Sequence, residues 1–549
     1  MFDALEAGDF QSIEGIVTQL ASCFNPSPTA GPRTRGSVRR ASGFVQIPIA
    51  LIEAEKGEVK AQACDKAWFQ QLTRTAFTAS MNQSDTFPKE YNSVPSMSDV
   101  DIKSFRSVFQ GQIFEPADVG YDEARQIWNA SVSKHPGVIA GCSGLADVIA
   151  AIDFGRASYL PTAIRGGGHN VGGRALCDDG LVIDLSRMRS VFVDNATRRV
   201  RVQGGATLGD IDRETHVFGL AVPCGIVSKT GIGGLTLGGG VGWLIRKYGM
   251  SIDNLLSAQV VTADGKVLTA SACENDDLFW ALRGGGGNFG VVTSFEFQAH
   301  PVATVLGGLL LYPRASAIDV IRRFRDYMAS APDELTAYAA LLHGPDGSPL
   351  VGVIPCYCGN VADGERVLQS LRKFGSPIVD GIQAIPFPAM QSLLGPSFPD
   401  GNHNYWKSTL QRELSDDAIS AIVEHANRLS SPLSFVVFEY YGGAAARVSS
   451  EATAFPHRHL PWDILFLAQW TDPAQTKMHR DWARTGEEIL QPFSENAHLL
   501  SALDVEAEDV VKTAFGTNLP RLAAIKKKYD PTNFFRVNQN IAPGTESAA

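Results

Sequence analysis

Of the 53 glycines in this 549-residue chain, 25 lie in the 125 residues from Gly166 to Gly290, about twice an even share. Glycine is needed where main chain enters the left-handed region or approaches another body closely. Three clusters dominate: Arg165-Gly-Gly-Gly-His169-Asn170, Gly231-Ile-Gly-Gly-Leu-Thr-Leu-Gly-Gly-Gly-Val-Gly242, and Arg283-Gly-Gly-Gly-Gly-Asn-Phe-Gly290. Flexible linkers mix glycine with Ser and other polar residues, whereas these glycines are interleaved with Val, Ile, Leu, Phe and Trp. The pattern points to backbone that clasps a ligand carrying phosphates.

The flanks decide which kind of clasp this is. No Gly-x-x-x-x-Gly-Lys-Ser/Thr occurs, which removes the P-loop. Gly285 to Gly290 matches Gly-x-Gly-x-x-Gly, but a dinucleotide fingerprint opens a helix. Here the alternating, β-branched run Val291–Phe297 follows and reads as a strand, so the match is an accident of composition. The first cluster has better context. Val138–Ala140 reads as a strand, Ser143–Gly155 has helical spacing, and Leu160–Ile164 reads as a second strand. That β-α-β unit delivers Gly166–His169 at a strand's carboxyl end, where successive N–H groups form an anion nest. Hairpin strands at Arg199–Gln203 and Lys266–Ala270 and a helix at Thr207–Val217, closed by Gly219, make the region α+β.

Length speaks for several domains. The balance of 48 basic and 58 acidic residues gives a net charge of -10, the wrong sign for a nucleic-acid partner. No apolar run reaches membrane-spanning length, and the acidic start MFDALEAGDF is unlike a secretory signal. The expectation is a soluble, cytoplasmic protein without a membrane partner. Eight scattered cysteines do not make a disulfide scaffold. Cys356 and Cys358 lack the second pair a structural zinc site needs, so no metal is expected.

Three separated motifs carry a family resemblance over roughly residues 99–545: Arg165-Gly-Gly-Gly-His169-Asn170, the block Val227–Leu244, and the tail Tyr529-Asp-Pro-Thr-Asn-Phe-Phe-Arg-Val-Asn-Gln-Asn-Ile541. Together they resemble the berberine-bridge-enzyme-like FAD-linked oxidoreductases, whose FAD domain is of the vanillyl-alcohol-oxidase (PCMH) type. The resemblance implies an α+β fold with a two-subdomain FAD-binding domain and a substrate domain whose antiparallel sheet is flanked by helices. It divides the chain into an N-terminal extension of unknown role (1–98), an FAD domain (99–302), a substrate domain (303–510) and a return to the FAD domain (511–549). Strand-like Phe435–Phe438 and Ile464–Leu467 and a helical Ile318–Ala329 agree in outline.

The same resemblance implies covalent attachment of FAD at His169, whose neutral imidazole can attack an electrophilic methide carbon. A histidine packed on a surface turn is the competing reading. Further FAD contacts are implied for Arg165, Gly166, Gly167, Gly168 and Asn170, and for Val227, Ser228, Thr230, Gly231, Gly234, Leu237, Gly238, Gly240 and Gly242 in the second block. Asn288, Gly290, Val292, Asn538 and Asn540 complete the set. Relatives with a second, cysteinyl link carry it where this chain has Val227. Cys224 stands three residues upstream, so one covalent link is expected.

The implied reaction is hydride transfer from a small organic substrate (an alcohol, amine, sugar-like or polyketide-like metabolite) to the flavin, with molecular oxygen as acceptor and hydrogen peroxide as product. A dehydrogenase using another acceptor is the alternative. Glu439, with Tyr440 and Tyr441 after it, resembles the family strand that carries a catalytic carboxylate or tyrosine. Its apolar neighbours raise the carboxyl's proton affinity and suit it as a base; an ordinary ion-paired Glu competes equally. Tyr441 divides between catalysis and core packing, and Lys407 between orienting a substrate oxygen and remaining a solvated charge. No tyrosine occurs between Tyr441 and Tyr529, which departs from many relatives and leaves an inactive FAD-binding scaffold as the rival reading. Neither the substrate, the oligomeric state, nor a role for the Arg-rich stretch Arg33–Arg40 follows from the sequence.

Overall fold

The computed structural model describes residues 102–503 and 508–544. The N-terminal extension and its Arg-rich stretch lie outside the described residues.

The β-α-β unit forms where its periodicity places it. Strand Val138–Gly141 leads into helix Leu145–Ala157, which returns the chain to strand Thr162–Arg165. The two strands are parallel but not adjacent. Leu181–Asp184 lies between them, and Gln112–Phe114 adds antiparallel at the other edge. All four residues of both Val138–Gly141 and Leu181–Asp184 are buried, as strands covered on both faces must be. The loop Gly166–His169 therefore starts from a rigid strand end.

A second, five-stranded antiparallel sheet contains Arg199–Gln203, Val267–Ser271 and Val291–Gln298. The last of these follows Gly285–Gly290 directly, so that glycine string opens a strand and not a dinucleotide-binding helix. Helix Leu208–His216 begins at Thr207, whose side chain and Asp210 cap each other's backbone N–H.

The third sheet has nine strands. From its middle to one edge, Leu335–His343, Phe435–Tyr440, Trp462–Trp470 and His403–Gln411 pair antiparallel in that order. Period-2 alternation gives the sheet two characters. Val436, Phe438, Ile464 and Phe466 face helices that include Ala317–Ser330, Asp416–Ala426 and Thr476–Leu490, forming one large core. The intervening residues face the glycine-rich region.

The chain then returns. Helix Leu519–Tyr529 packs Leu522 and Ile525 into the core of the five-stranded sheet. Lys526 is fully buried, and its ammonium donates to Asp530 at 2.6 Å and to the carbonyls of Asn288 and Phe535 at 2.8 and 2.9 Å. Asn288 completes the clamp: its side chain donates to the carbonyls of Gly285 and Gln539 and accepts from Ile541 N–H. The third glycine cluster is thus fastened to the C-terminal tail. No described helix is long and apolar enough to cross a membrane, and the six described cysteines are free.

Candidate functional site

A cavity of about 490 Å³ lies between the glycine loops and the inner face of the nine-stranded sheet. On one side it is made of main chain. A Cβ at Gly167 would stand 2.5 Å from the Gly231 nitrogen, and one at Gly231 would stand 2.3 Å from the Gly167 nitrogen. The two loops meet so closely that neither position admits a side chain. Gly168 has φ +66°, the left-handed region that favours glycine. Gly234 and Gly287 differ: both line the cavity, and a Cβ at either would meet nothing within 4 Å. No packing against the protein requires a glycine at these two positions; a body in the cavity would.

His169 lines the same cavity. Its ring stacks on Trp128 at 4.4 Å and 12°, while its Nε2 is shut off from solvent with no hydrogen-bond partner. Burial lowers the imidazole pKa to about 4, so the ring is neutral at ordinary pH. Trp128 meets the edge of Trp406, on the sheet, at 5.4 Å, and its indole N–H donates to the Phe398 carbonyl. Trp128 lies outside every sequence motif, and no local signal identified it.

The sheet side carries the acid chemistry. The Tyr441 hydroxyl lies 2.8 Å from Glu439 Oε2 and 2.9 Å from Asp463 Oδ2, and Ser408 donates to Asp463 Oδ1 at 2.6 Å. Glu439 lines the cavity; Tyr441 and Asp463 stand behind it. A phenol has one hydrogen, so both contacts are hydrogen bonds only if one carboxyl also holds a proton. Burial, followed by the Asp463 charge, pushes Glu439 up to about 8. Burial pushes Asp463 up to about 6, against the opposing hydrogen bonds from Ser408 and Tyr441. The shared proton therefore favours Glu439. Asp463 was missed in the sequence, although an acid inside the apolar run Trp462–Trp470 is its visible mark.

Of the residues anticipated at the cofactor, Gly166, Gly167, Gly168, His169, Asn170, Val227, Thr230, Gly231, Gly234, Leu237, Gly238, Gly290, Val292 and Asn538 line the cavity. Others stand outside the lining. Arg165 pairs with Asp184 at 2.6 Å behind the first loop and fixes that loop's base. Gly240 and Gly242 are packing positions, where a Cβ would strike Ser251 and the Cys224 carbonyl. Ser228 meets the Ser392 hydroxyl. Asn288 belongs to the clamp, and Asn540 keeps a buried, unpartnered Oδ1 away from the lining. Cys224 sits in the core of the five-stranded sheet, its thiol pushed well up by burial.

Lys407 requires a correction. It is the register partner of Phe466, which puts it on the helix face of the sheet, and its ammonium lies 3.1 Å from Glu487 on helix Thr476–Leu490. It is neither solvated nor at the cavity. Tyr441 likewise reaches the site only through Glu439.

The residues present fit a flavin nucleotide. A neutral imidazole whose Nε2 has no partner, glycine-rich main chain around Gly166–Gly168 and Gly231–Gly238, and two glycines with open space before them provide a cradle for a large planar group and its phosphates.

Comparison with known proteins agrees. A model of the FAD-binding domain matches residues 136–271, and one of the berberine and berberine-like segment matches 500–542. The chain is 33% identical over 454 residues to (R)-6-hydroxynicotine oxidase of Paenarthrobacter nicotinovorans, covering 79% of this chain and 97% of that protein. It is 31% identical over 447 residues to an FAD-linked oxidoreductase of Dictyostelium discoideum, covering 80% and 97%. Among solved structures, 6-hydroxy-D-nicotine oxidase from Arthrobacter nicotinovorans gives a TM-score of 0.74 at 31% identity, covering 79% of this chain and 98% of that one. A berberine-bridge-like protein of Physcomitrella patens gives 0.74 at 24% identity, covering 81% and 99%, a likeness of fold.

Proposed function

The chain belongs to the berberine-bridge-enzyme-like FAD-linked oxidoreductases, and on that premise we propose an oxidase of a small organic alcohol or amine, with FAD joined covalently to His169 alone. The observation that carries this reading is a single cavity with an unpartnered neutral imidazole in one wall and a proton-sharing carboxyl in another. Bound there, FAD supplies an acceptor for the hydride of a substrate C–H bond.

The protein's part is positioning and proton transfer. The Gly166–Gly168 loop and the short helix Ile232–Leu237 that follows Gly231 would hold the cofactor by main chain, and Trp128 fixes the plane of the His169 ring. Glu439, once ionised, takes the proton from the substrate O–H or N–H at its carboxylate. Tyr441 and Asp463 hold that carboxyl in one orientation and, through the shared proton, place its affinity near working pH. Cys224, in the core and outside the lining, has no part in attachment. Molecular oxygen is the terminal acceptor, giving hydrogen peroxide. The relatives named for oxidation of hydroxynicotine favour an oxidase over a dehydrogenase.

Purified protein tests this directly. Yellow colour should survive acid precipitation in the native protein and be released from His169→Ala. A panel of alcohols and amines screened in air should then reveal at least one that yields peroxide. Colour released from the native protein would remove the covalent link, and flavin bleaching without peroxide would point to another acceptor.

A further inference from the structure

Strand register sorts the sheet wall of the cavity into rows. Tyr338, Glu439 and Asp463 are direct partners across three neighbouring strands. The next row on the same face is Ala340, Val437 and Leu465. The row after that is Phe435, Leu467 and Trp406. Except for Asp463, every one of these residues lines the cavity. Leu394 and Phe398 close the side next to Trp406.

The polarity of this wall is concentrated at one end. Glu439 is the one carboxylate among the sheet residues lining the cavity, and Tyr338 beside it keeps a buried hydroxyl with no partner. The two following rows offer aliphatic and aromatic carbon, apart from the Trp406 indole N–H, which is buried without a partner. Phe435 and Glu439 are four positions apart along one strand, a span of about 13 Å at the strand rise. That suits a compact body with its reacting group at one end.

Resting on the reading above, we infer that the substrate is a compact, largely apolar molecule, an aryl- or alicyclic-substituted alcohol or amine with one O–H or N–H beside the carbon to be oxidised, and not a carbohydrate. A sugar carries a hydroxyl on nearly every carbon. Against Val437, Leu465, Phe435 and Leu467 those hydroxyls would lose water and gain no partner. An aryl ring there loses nothing polar and gains contact with the Phe435 and Trp406 rings. Tyr338 and Glu439 are left for the single polar group.

The test is binding to the flavin-loaded protein, read as perturbation of the flavin absorption spectrum under anaerobic conditions. The probes are 1-phenylethanol and 1-phenylethylamine against D-glucose and cellobiose. At least one phenyl probe should saturate at a concentration about tenfold or more below either sugar. Val437→Thr, which keeps shape but adds a hydroxyl in the middle row, should weaken phenyl binding several-fold and leave the flavin content unchanged. Saturation by sugars at equal or lower concentration, saturation by neither phenyl probe, or indifference of phenyl binding to Val437→Thr would each overturn the inference. These results are separable from failure of the underlying reading, in which the protein carries no acid-stable flavin at all.

Discussion

The glycine loops present main chain to the cavity, whereas the sheet opposite presents side chains chosen by strand register. Gly167 and Gly231 approach each other so closely that a Cβ on either would stand 2.5 Å or less from the other's nitrogen. Glu439, by contrast, acquires its character from Tyr338, Tyr441 and Asp463, brought beside it by pairing across three strands. One wall is shaped by main chain and the other by side chains that strand pairing selects. The two walls should therefore fail differently when altered.

The largest effects belong to the main-chain wall. Gly234→Leu should leave the fold intact, because a Cβ there meets nothing and leucine suits a helix better than glycine. It should nevertheless abolish flavin retention, measured by absorbance of the purified protein. Gly231→Ala should lose both flavin and thermal stability, because its Cβ meets Gly167 backbone that has no way to yield. Equal stability of these two variants would break the distinction between glycines kept for the ligand and those kept for the loop contact.

On the side-chain wall, Glu439→Gln should keep its flavin and lower the rate of anaerobic flavin reduction by about 10²–10⁴-fold, the usual range for a lost general base. Asp463→Asn should act more mildly and with a defined sign. Removing the neighbouring negative charge lowers the Glu439 pKa, so the limb along which activity rises with pH, near 8 in the native protein, should move to lower pH. The Tyr338 phenol, which faces Glu439 from the other neighbouring strand, should leave the direction of that shift unchanged.

The smallest effect is on stability. Glu439 keeps its proton in the folded protein up to about 8, but loses it near 4.5 when unfolded. Between those values the folded state binds more protons, so this group's contribution to stability falls as pH rises through the window. Glu439→Gln should raise the melting temperature near pH 8 by a few degrees, at roughly 2–4 °C per kcal/mol for a large domain, with the gain vanishing towards pH 4. His169 has the opposite sign. In the flavin-free chain its pKa falls from 6.5 to about 4, so it costs stability as pH drops through that interval.

The two walls also differ in how much of them the sequence revealed. Gly166–Asn170 and Val227–Leu244 are contiguous and rich in glycine, so most of the main-chain wall could be located from the sequence, while Arg165, Ser228, Gly240 and Gly242, anticipated in or beside the same stretches, stand outside the cavity lining. Strands Val138–Gly141 and Val291–Gln298 and helix Leu208–His216 followed from periodicity and capping. Asp463 escaped because nothing local says which of its neighbours lies across a strand pair. Lys407 was misplaced for the same reason. Beside Trp406 in sequence it looks like a site residue, yet one step along a strand reverses the face, and Lys407 points to Glu487 on the far side. The pairing of Lys526 with Asp530 was likewise invisible until the tail was seen to fold back on Asn288.

The central claim is that the main-chain wall holds FAD tethered at one imidazole. Trypsin separates the relevant segments: cleavage after Arg165 and Arg174 releases a peptide holding His169, and cleavage after Arg213 and Lys229 releases one holding Cys224 and Val227. Mass spectrometry of the native, flavin-loaded protein should find the added mass of the flavin nucleotide on the first peptide and none on the second. Flavin mass on the Cys224 peptide, or on neither, would contradict the account.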